Sequence, residues 1–273
     1  MPELGRLRFA AVAVLVGAVV VACGGSDAAP SSPVASGSVE RAVAAANTWT
    51  IEPGVRLAGV SAPATLRLAD GTFRTYLPGL EVVSSPDGIT FGARRHLALA
   101  EEGAFLRNPA VTVLPDGTFV MIFEAVTDER GPSRATRFYR ATSRDGIEFA
   151  KTPGGGTGGA VLEPLASDRS FISAPDLVLL PGGDLRLYFN AADGTTIESA
   201  RSKDAGLTWQ REGAVTVEGL GGRRAADPDV LLLRDGTYWL FFAAGREGSP
   251  EPHILSATSA DGLHFRLEPN EAL

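Results

Sequence analysis

Cysteine is nearly absent from this chain of 273 residues, and its single thiol, Cys23, excludes any disulfide within the monomer. Histidine is almost as scarce. His96, His253 and His264 stand apart with no ligand spacing, so no histidine-based metal site is expected. Long apolar runs are missing after residue 22, and the run before it, Phe9 to Ala22, is too short to cross a bilayer as a helix. Clustered positive charge is missing too. With 25 Lys and Arg against 32 Asp and Glu, the net charge of −7 and the scattered basic residues leave no footprint for a nucleic acid.

The apolar run has another use. Preceded by Arg6 and Arg8, it gives residues 1–22 the form of a signal peptide. It ends in Val20-Val21-Ala22-Cys23-Gly24, which resembles a bacterial lipobox. That resemblance implies cleavage before Cys23, lipidation of its sulfur, and a lipid anchor at the cell envelope, on the periplasmic or extracellular face. Gly24 to Ser38 is a Ser/Pro/Ala/Gly tract that cannot bury enough surface to order itself, so residues 23–38 read as a lipidated cysteine and flexible linker. Residues 39–273 remain, enough for one domain with a sizeable core and expected to be a monomer.

In this body one pattern recurs four times. A Pro opens an apolar strand, a turn Gly follows eight residues later, a second apolar strand comes next, and an Asp-Gly turn closes on an aromatic residue. The Pro/Gly pairs are Pro63/Gly71, Pro109/Gly117, Pro175/Gly183 and Pro228/Gly236. The closing aspartates, Asp87, Asp145, Asp204 and Asp261, lie 58, 59 and 57 residues apart. A repeat of this length, made of short strands and tight turns, predicts an all-β fold: a β-propeller with four readable four-stranded blades. The second strands, such as Phe119 to Phe123 and Tyr238 to Phe242, are apolar throughout, as strands buried on both faces must be. Trp49 to Gly54 matches the outer strand of a blade, and so does the chain end at Phe265 to Glu268. Two counts follow, four blades with an added edge strand or five with one incomplete, and in either case Thr48 to Leu57 is expected beside the last repeat.

Strand period two places the residues flanking each Pro on one side, toward the channel. Asp176, Asp227 and Asp229 therefore converge near the axis, with Arg107 and Asn108 on an adjacent blade. At the exits of the second strands the matched column holds Glu124 and Asn190, and Phe105 and Phe171 occupy matched loop positions where they could stack on a sugar. Carboxylates gathered at one mouth suit glycosidic cleavage, which needs a proton donor and a base or nucleophile flanking one bond. No cofactor is expected, though a structural cation could sit in the channel.

The closing turns, most fully Ser202-Lys203-Asp204-Ala205-Gly206-Leu207-Thr208-Trp209, resemble the Asp-box of sialidases and related propellers. Their Ser and Asp should cap the turn while the aromatic packs between sheets. Asp227-Pro228-Asp229-Val230 with Asp235-Gly236-Thr237-Tyr238-Trp239-Leu240 resembles the inner-blade pattern of the five-bladed glycoside hydrolases of the arabinanase, levansucrase and invertase type, families 43 and 32. Arg107-Asn108-Pro109 is similar to the Arg-Asp-Pro element of the invertase branch, with Asn in place of the carboxylate. The resemblance implies five blades, a glycan or polysaccharide substrate, Asp227 as base or nucleophile, and a Glu acid for which Glu124 and Glu163 are candidates by placement. Two further readings stay open: a noncatalytic propeller binding glycan or protein on its top face, and an exo-sialidase, although no early Arg-based element is present to clamp a sialic carboxylate.

Overall fold

Each repeat folds as one antiparallel sheet. The computed structural model describes residues 54–97, 99, 105–127, 135–245 and 253–269. In the first blade β1 (Ala64–Arg67), β2 (Phe73–Leu77), β3 (Glu81–Ser85) and β4 (Arg95–His96) lie in chain order. The second holds β5 (Phe105–Val113), β6 (Phe119–Thr127), β7 (Ala135–Ser143) and β8 (Ala150–Lys151). The third holds β9 (Ser173–Leu179), β10 (Leu185–Ala191), β11 (Thr196–Ser202) and β12 (Gln210–Ala214). In the fourth, β13 (Thr216–Glu218) adds to the outer edge of β14 (Arg224–Leu232), β15 (Tyr238–Gly245), β16 (His253–Ser259) and β17 (His264–Leu267).

The described residues thus form a four-bladed propeller, not the five-bladed ring that the resemblance implied. The extra edge strand is real but has a different source. It is β13, from the link between the third and fourth blades, and it runs parallel to β17 with Thr216 opposite His264. No strand is present from Gly54 to Pro63, and residues 48–53 of the expected closing strand lie outside the described residues. Ala58 instead accepts a hydrogen bond from Arg94 of the first blade, at 2.7 Å.

Alternating side chains of each second strand serve two different cores. Met121 and Phe123 of β6 pack with Tyr76 and Val82 of the first blade. Val120 and Ile122, between them in sequence, pack with Leu187 and Phe189 of the third. A third cluster joins Val178 and Tyr188 to Leu240 and Phe242. Every residue of β10 is buried, the apolar run having a neighbouring sheet on either face. Each such large side chain contributes about 1.5–3 kcal/mol by leaving water.

The closing turns add polar junctions. Ser202 Oγ donates to Asp204 Oδ1 at 2.8 Å, Asp204 accepts the Thr208 N–H at 2.9 Å, and the Trp209 indole donates to Gly206 O at 3.0 Å. The preceding blade then grips the turn. Tyr76 Oη donates to Gly146 O at 2.9 Å, and Arg74 donates to Asp145 O. Arg140 donates to Ala205 O at 2.7 Å, and Arg186 and Tyr188 repeat the first arrangement on Asp261 O and Gly262 O at 2.7 and 2.9 Å. Arg74-x-Tyr76 and Arg186-x-Tyr188 are the same device two blades apart; in the fourth blade Trp239 and Phe241 hold those positions.

Candidate active site at the propeller axis

The residue before each inner-strand proline is left-handed: Ala62, Asn108, Ala174 and Asp227 have φ of 44°, 46°, 49° and 54°. None is glycine, and a residue before proline ordinarily prefers extended backbone, so each costs about 1–3 kcal/mol. The ladder slips at these points, between Arg107 and Ala110 in β5 and between Ala226 and Asp229 in β14. Strict period two therefore does not carry across the proline. The expectation that alternation alone sends Asp227 and Asp229 to the same side is corrected by this bulge.

What holds the strained residues is the column at the exits of β6 and β10. Glu124, fully buried, forms an ion pair with Arg107 and accepts from Asn108 Nδ2 at 2.7 Å. Its Oε2 also accepts the N–H of Ala174, the pre-proline residue of the next blade, at 3.3 Å. Asn190 does the same one blade later. Its Oδ1 accepts the Asp227 N–H at 2.8 Å and its Nδ2 donates to Asp227 Oδ1 at 2.9 Å. Burial pushes Glu124 above the usual carboxylate range, while Arg107 and the hydrogen bonds from Asn108 and Ala174 hold it back. Losing Arg107 would leave a buried charge uncompensated, a change that costs about 3–5 kcal/mol.

Across the junction of the third and fourth blades lies a pair of acids. Asp176 Oδ2 accepts the Val230 N–H at 2.8 Å, which brings it against the strand segment carrying Asp229. Burial, and then the Asp229 charge, push Asp176 up to about 8. Burial pushes Asp229 up to about 6. Burial and mutual repulsion thus both favour keeping a proton on the pair. Asp227 is exposed and has Asn190 as its partner, so the three aspartates divide into a coupled pair and one oriented carboxylate at the rim. Among the described residues no group of three or more His, Cys, Asp or Glu side chains is arranged to hold a metal ion.

The other candidates are dispersed. Glu163 accepts from Arg137 at 2.9 Å and from the Thr157 N–H at 3.3 Å, and these bonds, with those of Thr157 foremost, hold its carboxyl low and ionised. Phe171 is half-buried before β9, near Gly194 in the turn after β10. Phe105 begins β5. The left-handed backbone at four matched positions was missed by sequence reasoning. No sequence signal marks them, since the support that Glu124 and Asn190 give to the pre-proline residue of the following blade exists only in three dimensions.

No protein-family model matches this chain, and no curated protein sequence matches it. Solved structures do. A thermostable family-43 glycoside hydrolase superposes with a TM-score of 0.56 at 15% identity, covering 78% of this chain and 73% of the other. An endo-1,4-β-xylanase from Bacteroides thetaiotaomicron gives 0.58 at 18%, covering 78% and 73%. A family-43 β-1,3-galactosidase gives 0.55 at 17%, covering 77% and 76%. At these identities the likeness is one of fold: an all-β propeller, four-bladed in the described residues of this chain, similar to the propellers of family-43 glycoside hydrolases.

Proposed function

We propose that the protein hydrolyses glycosidic bonds at the axial mouth between its third and fourth blades. The observation that carries this is the placement of Asp176 against the Asp229 segment, its Oδ2 accepting the Val230 N–H, with the exposed carboxylate of Asp227 two residues from Asp229. The protonated member of the pair gives its proton to the leaving oxygen. Asp227, oriented by Asn190, acts as base or nucleophile on the other side of the bond. Glu124 has both oxygens engaged and no exposed surface, so it serves as a positioning residue for Arg107 and Asn108, which with Asn190 and Phe171 would line the sugar site. Release of reducing sugar from a panel of aryl glycosides and polysaccharides tests the reading, and no release by the folded protein from any of them contradicts it.

A noncatalytic glycan-binding propeller has one observation in its favour. The first blade brings only Ala62 and Ala64 to the axis, and Asn108 stands where a carboxylate would complete the second. Binding without turnover on that panel would select it.

The site would work at the cell envelope, on a monomer tethered by lipidated Cys23 through residues 24–38; Cys23 and this linker lie outside the described residues. Cys23→Ser should move the protein from the detergent phase to the aqueous phase, and unchanged partitioning would refute the anchor.

A further inference from the structure

The junction between the fourth and first blades is built unlike the other three. Each inner strand turns the second residue after its proline toward the preceding blade, and in β5, β9 and β14 these residues, Val111, Leu177 and Val230, are buried in the three core clusters. In β1 that residue is Thr65, and it is exposed. Among the described residues no core cluster joins the fourth blade to the first. The fourth blade also carries Trp239 and Phe241 at the positions from which Arg186 and Tyr188 of the third grip the next closing turn.

Away from the axis, the two faces of this junction are nevertheless out of water. Phe73, Thr75 and Leu77 stand where Phe119, Met121 and Phe123 of the second blade pack on the blade before them, and all three are buried. Val83 is buried beside them. On the fourth blade, Leu240, Phe242, Leu255 and Ala257 belong to the core shared with the third, so the alternating residues Phe241, Ile254 and Ser256 turn toward the junction. These are buried too. A single copy of the chain thus covers both faces, and no partner protein is needed to do so.

Two features point to the cover. The described residues begin at Gly54 on the first blade, where Ala58 O accepts from Arg94, and residues 39–53, which lie outside the described residues, precede that point. Their sequence combines large apolar anchors, Val39, Val43, Trp49 and Ile51, with the small run Ala44-Ala45-Ala46, a composition suited to passing between two sheets. Extended, these 15 residues reach about 50 Å, and a seven-residue strand is only about 23 Å long. The other place for such a segment is taken. The outer edge of β17, where a closing strand would add to the fourth blade, is occupied by β13.

We propose that residues 39–53 seat between the first and fourth blades, with Trp49 and Ile51 against Leu77, Val83 and Ile254, and close the ring where those two blades do not pack on each other. The inference does not depend on the hydrolase reading. Because β14 carries Asp227 and Asp229, the segment would brace the blade that holds the candidate site.

Hydrogen exchange of the full chain, read by mass spectrometry, tests this seat. Amides of residues 39–53 should exchange about tenfold or more slowly than those of residues 24–38, at every protein concentration. Trp49→Ser should erase that protection and speed exchange in β2 and β15, leaving β6 and β10 as in the wild type. Equal exchange of the two stretches in the wild-type chain would overturn the inference, and needs no variant. Protection that vanishes on dilution would also overturn it, by assigning the cover to a second copy of the chain. Equal acceleration of all four strands in Trp49→Ser would contradict a local seat.

Discussion

Asn190 holds Asp227 from both ends of its amide, accepting the aspartate's N–H at 2.8 Å and donating to its carboxylate at 2.9 Å. One side chain of the third blade thereby fixes both the strained backbone and the carboxylate of the fourth. Glu124 makes the corresponding backbone contact to Ala174, so the axis is a chain of such links from blade to blade.

Asn190→Ala should cost about 1–3 kcal/mol, since the part-buried Asp227 N–H loses its partner and the left-handed residue its support. Asn190→Asp would restore the acceptor but place a like charge on Asp227. Urea denaturation should rank wild type above both variants, and activity should fall in both. An Asn190→Ala protein of full stability would show that the link is incidental.

Gly146 and Gly262 are held to glycine by the turn grip. A Cβ on Gly146 would lie 2.7 Å from Phe119 and 2.8 Å from Tyr76 Oη, and on Gly262 2.6 Å from Tyr188 Oη. Their φ of 69° and 76° also disfavours a side chain. Alanine at either should cost about 1–3 kcal/mol by overpacking, with about 1 kcal/mol more from the backbone. Alanine at Gly236, where nothing lies within 4 Å, keeps only the backbone penalty and serves as the control.

Stability should peak in mildly acidic solution. Asp176 and Asp229 have folded pKa values raised above the ordinary 3.8, so their contribution is fully present below that value and lost as pH rises through about 6 and about 8. The closing turns act in the opposite sense. Hydrogen bonds from Thr90 and Ile89 hold Asp87 at about 2, and those from Glu148 and Ile147 hold Asp145 at about 2, so this contribution is present above 3.8 and lost as pH falls toward 2. Urea midpoints measured across this range should fall at both ends. Asp176→Asn should flatten the alkaline limb alone, and an unchanged limb would show that the pair is not coupled.

Much of the architecture was legible because blade stacking leaves a local record. Apolar second strands such as Phe119 to Phe123, a turn glycine at fixed spacing from each Pro, and recurring closing turns each follow from short-range chemistry. The fourth blade's edge was not, because Thr216-Val217-Glu218 is too short to announce a strand and pairs with residues far along the chain. At the site, the proximity of Asp176 to the Asp229 segment followed from matched positions. The separate fate of Asp227 did not, since a pre-proline residue gives no sign that neighbouring blades will force it left-handed. Glu124 looked like a free acid in sequence; only three-dimensional packing reveals that its charge is spent on Arg107, Asn108 and Ala174.

The central claim is tested most directly by turnover on the best substrate of the panel for wild type, Asp227→Asn and Asp229→Asn, each with its melting temperature. Asparagine keeps the shape and removes the charge and the proton, so both variants should stay folded while turnover falls by about two orders of magnitude or more. Asp229→Asn should in addition move the pH–rate profile, because it uncouples Asp176. Turnover unchanged in folded Asp227→Asn and Asp229→Asn would contradict the assignment of catalysis to these carboxylates.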